Sequence, residues 1–215
     1  MHLIMFDIDG TLVNSSEFDE VCYLKAAQIV LGVEISSNWE DYTFATDAGI
    51  LDEAINRYSF SGKRKDIHVK FKQVFAKLIS EYIASNPDDV QEVEGASQFL
   101  QHLFTLDNVR VAIATGGWEE TAKLKLKAAN IDFDGYAFAS SSDHYKRTEI
   151  MKIAESRASG AMPFKSKTYF GDASWDKKAS KILNYRFVLV GNRIDHEMQI
   201  DDYKNKENVL NMLGL

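Results

Sequence analysis

Leu3-Ile4-Met5-Phe6-Asp7-Ile8-Asp9-Gly10-Thr11 is the stretch that decides the fold. Leu3 to Phe6 are apolar without interruption, the pattern of a strand buried on both faces, as in a parallel sheet. Asp7 and Asp9 follow at the lip of that strand. Residues i and i+2 of an extended chain point to the same face. Two carboxylates so placed repel each other unless a cation or a shared proton lies between them. A divalent metal site and carboxylate chemistry are the uses such a pair suggests. A calcium loop of the EF-hand type is excluded: counted from Asp7, the places for its glycine and its bidentate glutamate hold Leu12 and Phe18.

Further strands lie downstream. Val109–Ala114, Tyr136–Ala139, Thr168–Phe170 and Arg186–Val190 join His2–Ile8 as short apolar segments. Helical patterns at Glu119–Ala129, Arg147–Ala158, Asp176–Leu183 and Lys206–Leu213 alternate with them, which predicts β-α units and a parallel sheet. The gap between the first two strands is anomalous, far longer than the ~30 residues of a whole βαβ unit. It reads as helices at Asn14–Leu31, Asp47–Tyr58 and Asp66–Ser85, the last with Ile67, Phe71, Val74, Phe75, Leu78 and Ile79 on one stripe. Ser85-Asn86-Pro87-Asp88-Asp89 reads as the hinge back, and Gly95–Phe104 as the helix leading into the second strand. The expected organisation is a Rossmann-like α/β core, residues 1–13 and 91–215, carrying an inserted helical cap, residues 14–90.

The 215 residues suit one core domain with a smaller insert. Hydrophobic content of 45% and charged content of 27% are ordinary for a globular chain. A net charge of −7 argues against nucleic acid as a partner. Cys22 is the only cysteine, so neither a disulfide framework nor a cysteine zinc cage is available. The chain enters a strand at once and has no apolar run near the ~18 residues of a membrane span, so a cytoplasmic protein, monomer or homodimer, is expected.

Each later strand also ends on polar groups. The second ends Ala114-Thr115-Gly116-Gly117, a hydroxyl followed by flexible backbone that opens a helix, which suits a phosphate. Lys146 follows the third, with Arg147 beside it as a competitor and Lys152 as a weaker one. The fourth ends Gly171-Asp172-Ala173-Ser174-Trp175-Asp176. Open α/β sheets bind ligands beyond these carboxyl ends, near the switch in strand order.

This ordered set resembles the haloacid-dehalogenase-like hydrolase superfamily along the whole chain. Asp7-x-Asp9-Gly10-Thr11 looks like its first motif, Thr115 its second, Lys146 its third and Gly171-Asp172-x-x-x-Asp176 its fourth. The resemblance implies a sheet ordered fifth, fourth, first, second, third strand, and Mg2+ held by Asp7, the Asp9 carbonyl and Asp172 with Asp176 in support. It implies a phosphatase acting on a small phosphomonoester. Asp7 would be the nucleophile, forming an aspartyl-phosphate, and Asp9 the acid and base, oriented by Thr11. Lys146 would neutralise charge, while Thr115 and Gly116 hold the phosphoryl oxygens. The dehalogenase branch lacks the second aspartate, so Asp9 argues for phosphoryl transfer. A phosphomutase or phosphonate hydrolase of the same fold, or a non-catalytic binding module, would be the alternatives.

In the cap, Thr46 or Asp47 is expected to cap the helix that follows, and both are candidates for substrate contact. Lys63-Arg64-Lys65 reads as a solvated face. Trp118 and Trp175 flank motif residues and read first as packing groups. Asn184 stands where the family often ends a helix on glycine, and asparagine tolerates the left-handed conformation needed there.

Overall fold

The computed structural model describes residues 1–60, 62–159 and 163–215. Its elements run β1 (His2–Phe6), α1 (Ser16–Leu31), a 3-10 turn (Trp39–Asp41), α2 (Asp47–Arg57), α3 (Arg64–Ser85), α4 (Ala96–Phe104), β2 (Val109–Ala114), α5 (Glu119–Ala128), β3 (Ala137–Ala139), α6 (Arg147–Ser159), β4 (Ser166–Gly171), α7 (Ser174–Ile182), β5 (Arg186–Val190), β6 (Gln199–Ile200) and α8 (Lys206–Leu213). The sheet is ordered β3-β2-β1-β4-β5-β6 and its pairings are parallel. The first five strands therefore stand in the expected order. β6 is an addition: two residues are too few to show a period of two.

Alternation along the strands builds two cores. Ile4 and Phe6 of β1, Val111 and Ile113 of β2, and Val188 and Val190 of β5 face one side. Leu3 and Met5, Ala112 and Ala114, and Phe187 and Leu189 face the other. On the first side lie α4, α5 and α8, through Phe99, Leu103, Leu126 and Val209 among others. On the second lie α6 and α7, through Ile150, Met151, Ala154 and Ala179. Helices on both faces make the sheet doubly wound.

The insertion between β1 and β2 joins the first core. Phe71, Phe75 and Ile79 of α3 are buried in the same cluster as Phe6 and Phe99, and Ile67, Val74 and Leu78 pack against it. Phe18 of α1 stacks on Tyr82 of α3 at 4.6 Å between ring centroids. Asn184 closes α7 with φ 57°, the left-handed turn anticipated for it. No helix among the described residues is long and apolar enough to cross a membrane.

β1 sits between β2 and β4, with Phe6 in register with Ile113 on one side and Phe170 on the other. The Asp7 amide donates to the Phe170 carbonyl at 2.9 Å, carrying the pairing one residue past the strand. The strand order reverses at β1, so the crevice of a doubly wound sheet opens directly beyond Asp7.

Candidate active site

Four buried side chains cluster at that crevice. Asp7, Thr115, Asp172 and Asp176 are all buried, Asp172 the most exposed at 7%. Oxygens of Asp7, Asp172 and Asp176 lie within 4.8 Å of one another. Two glycines make room for them. A side chain on Gly10, which has φ +71°, would start 2.3 Å from Asp172 Oδ2, and one on Gly171 would start 2.6 Å from Asp176 Cβ. Burial pushes the Asp7 carboxyl up, and Arg147 pulls it back, as the Thr115 hydroxyl does more weakly. Burial and then the neighbouring Asp7 push Asp172 up to about 6, against the pull of Arg193, whose Nη1 donates to Asp172 Oδ2 at 3.1 Å.

The cation expected at Lys146 is supplied by its neighbour. Arg147 Nη1 stands 3.3 Å from Asp7 Oδ2 and 2.9 Å from Asp176 Oδ1. Its Nη2 donates to the Ala45 carbonyl at 3.2 Å, and Tyr169, itself bound to the Ala114 carbonyl, steadies it from below. Burial works against the guanidinium charge, but Asp176 and Asp7 outweigh it. Lys146 turns away instead, its Nζ lying 5.5 Å from the Phe44 ring centre and 5.7 Å from that of Tyr145. Lys152 pairs with Glu149 at the surface. One residue at the start of a helix turns a side chain by about 100°, which decides which of two adjacent cations meets the strand end. Gly116 is tied to this choice, because a Cβ there would lie 2.3 Å from Arg147 Nη2.

Asp9 is held by groups that the sequence reading did not single out. Ser15 Oγ and Lys125 Nζ both donate to its Oδ1 at 2.5 Å. Thr11, expected to orient it, is buried with its hydroxyl unpartnered among the described residues. Lys125 is fully buried, and its Nζ also reaches Asp19 Oδ1 of α1 at 2.7 Å. A signal for Lys125 existed: it shares the buried stripe of α5 with Thr121, Ala122 and Leu126. It was masked by the run Lys123-x-Lys125-x-Lys127, which reads as solvated charge.

The insertion closes the crevice from above. The Asp47 amide donates to the Gly116 carbonyl at 2.9 Å, and Asp47 Oδ2 accepts from the Trp118 amide at 2.8 Å. Thr46 caps α2 by accepting from the Gly49 amide at 3.1 Å and donates to the Tyr145 carbonyl at 2.7 Å. Both candidates from the insertion thus reach the strand-edge loops. The cavity between the two is about 100 Å³, walled by Asp7, Asp9, Thr115, Gly116, Arg147 and Asp172 below and by Asp19, Glu20, Trp39, Thr46, Asp47 and Ile50 above. Trp118 belongs to the core among Tyr23, Phe71 and Phe75. Trp175 lines the cavity, with the Arg193 guanidinium 5.5 Å from its ring centre.

The donor set fits a hard divalent cation. It offers only oxygen from the closely spaced carboxylates, and Asp7 Oδ1 is buried with no hydrogen-bond partner among the described residues.

Solved structures share this architecture. A hydrolase from Pseudomonas syringae is 18% identical with a TM-score of 0.75, the match covering 99% of each chain. CbbY from Rhodobacter sphaeroides, solved in complex with phosphate, is 18% identical with a TM-score of 0.68, over 94% of this chain and 95% of that one. An archaeal beta-phosphoglucomutase from Pyrococcus sp. strain ST 04 is 16% identical with a TM-score of 0.60, over 100% of this chain and 99% of that one. At these identities the likeness is one of fold. No curated protein matches the chain. The family model described as haloacid dehalogenase-like hydrolase matches residues 4–190.

Proposed function

The chain belongs to the haloacid dehalogenase-like hydrolase family, and on that premise we propose that it is a magnesium-dependent phosphatase of a small phosphomonoester. The observation that carries the reading is Asp7: a buried carboxylate with Oδ1 unpartnered among the described residues, Arg147 3.3 Å from Oδ2, at the floor of a cavity of about 100 Å³. Mg2+ held by Asp7, the Asp9 carbonyl and Asp172, with Asp176 in support, would supply positive charge against the phosphoryl oxygens.

The protein's own groups do the rest. Asp7 attacks phosphorus, the bond from phosphorus to the ester oxygen breaks, and an aspartyl-phosphate forms. Asp9 gives a proton to the departing alkoxide. In the second half it takes a proton from water as that water attacks phosphorus and frees Asp7. Arg147, rather than Lys146, offsets the repulsion between two anions, and Thr115 with the Gly116 amide holds the phosphoryl oxygens. Residues 14–90 act as a cap over the core formed by 1–13 and 91–215, and the contacts of Ala45, Thr46 and Asp47 with the core loops are those of its closed position. Closure excludes water during the first transfer.

The phosphonate alternative needs an amine in the cavity, and no lysine is among the described residues that line it. A phosphomutase would share the aspartyl-phosphate but pass the group to a second sugar phosphate. The test is phosphate release from p-nitrophenyl phosphate and a panel of alkyl phosphomonoesters with Mg2+. Steady release that EDTA and Asp7→Asn each abolish is expected. Release surviving either treatment removes the mechanism, and exchange between sugar phosphates without net release points to the mutase.

A further inference from the structure

Among the described residues, Lys125 is a fully buried cation that the reaction above leaves without a task. It stands on α5, which follows Thr115-Gly116 in the chain, and its side chain is wholly enclosed. An ammonium without water is stable only when paired and hydrogen-bonded. Lys125 meets that condition through Asp9 on the core and Asp19 on the insertion, at 2.5 and 2.7 Å.

The geometry divides the two oxygens of Asp9. Oδ1 receives both Lys125 Nζ and Ser15 Oγ. Oδ2 is the oxygen on the Gly117 side, 3.7 Å from where a Cβ on Gly117 would stand, and Gly117 lines the cavity. An aspartate side chain rotates freely about its last bond unless one oxygen is tied. With Oδ1 tied twice, Oδ2 is left to face the ester oxygen.

We propose that Lys125 is a positioning residue that fixes the Asp9 carboxyl with Oδ2 toward the leaving group, and that Asp19 of the insertion completes this brace. The proposal rests on the phosphatase reading above, in which Asp9 serves the leaving alkoxide. Asp19 lies in the first turn of α1, so the brace spans the join between insertion and core. Closing the crevice and aiming the acid are then one event. Ser15 alone leaves a single neutral donor on Oδ1. Lys125 adds a charged donor anchored at its far side, which resists rotation more strongly.

The leaving group separates this role from a structural one. A nitrophenolate departs without a proton, whereas an alkoxide needs one. The ratio kcat/KM covers the steps up to release of the alcohol, so it reports the acid role of Asp9 and not its later role as base. Wild type, Lys125→Met, Lys125→Arg and Asp19→Asn are assayed with p-nitrophenyl phosphate and with an alkyl phosphate that the enzyme hydrolyses. Lys125→Met is expected to lower kcat/KM for the alkyl ester by about 10²-fold or more, the usual worth of a positioned acid, and for the aryl ester by less than about 10-fold. Lys125→Arg restores most of the alkyl activity. Asp19→Asn, which keeps the lysine on Asp9 and guards against a Lys125→Met chain that does not fold, shifts the ratio the same way by a smaller factor. Equal losses on both esters in whichever of these variants folds, or no loss, overturn the proposal and leave the phosphatase reading standing. A wild-type protein that releases phosphate from neither ester removes that reading and this proposal with it.

Discussion

The two walls of the cavity were built by different rules. The lower wall is made of strand ends: Asp7, Thr115 and Asp172 sit where β1, β2 and β4 stop, and parallel pairing forces them to the same edge. The upper wall is made of side chains from the insertion, whose place depends on how α1, α2 and the loop before α2 settle on the sheet. On the lower wall position follows from topology, and on the upper wall it follows from packing. The difference teaches where sequence order is a sufficient guide to a site and where only contacts are.

The sharpest way to break the comparison lies on the lower wall. Arg147→Ala should reduce kcat by about 10²–10³-fold, the usual cost of removing one charge-stabilising donor. Lys146→Ala should leave kcat within a few-fold of wild type, since its Nζ lies over Phe44 and Tyr145 and not at Asp7. The reverse order of effects, measured by phosphate release, would return the role to Lys146.

A milder effect is expected above. Thr46→Val removes the cap of α2 and the bond to the Tyr145 carbonyl. Stability should fall by about 1 kcal/mol in urea denaturation, with KM rising more than kcat falls. An unchanged KM would detach this loop from substrate binding.

The smallest effect involves one acid from each wall. Burial pushes Asp172 and Asp19 from the ordinary 3.8 up to about 6. Between these values the folded protein binds more protons than the unfolded chain. Their contribution to stability is therefore full below 3.8 and is lost as pH rises through about 6. In EDTA the thermal midpoint should be higher near pH 5 than near pH 7.5, with Asp172→Asn and Asp19→Asn each flattening part of that slope. A midpoint that climbs with pH across this window would show that neither acid is so perturbed.

Much of the lower wall was legible from the chain alone. The strand order was implied by the family resemblance that the motifs carry and is the order found, and the meeting of Asp7, Asp172 and Asp176 at one edge follows from it. Arg147 was legible only as a rival, because two adjacent cations at a helix start differ by a rotation that sequence does not display. Lys125 was hidden for a different reason. Its partners Asp9 and Asp19 come from another part of the chain, and its place on the buried stripe of α5 was masked by the run Lys123-x-Lys125-x-Lys127. Thr11 shows the converse: the hydrogen bond to Asp9 expected of it is made by Ser15 instead.

Asp7 as nucleophile is the centre of the proposed mechanism. The direct measurement is to mix wild-type enzyme, Mg2+ and a phosphomonoester, quench in acid within one turnover, and map added mass by peptide mass spectrometry. One phosphoryl group on the peptide holding Asp7, absent in Asp7→Asn, is the predicted result. Phosphate release with no such adduct, or an adduct that persists in Asp7→Asn, would contradict it.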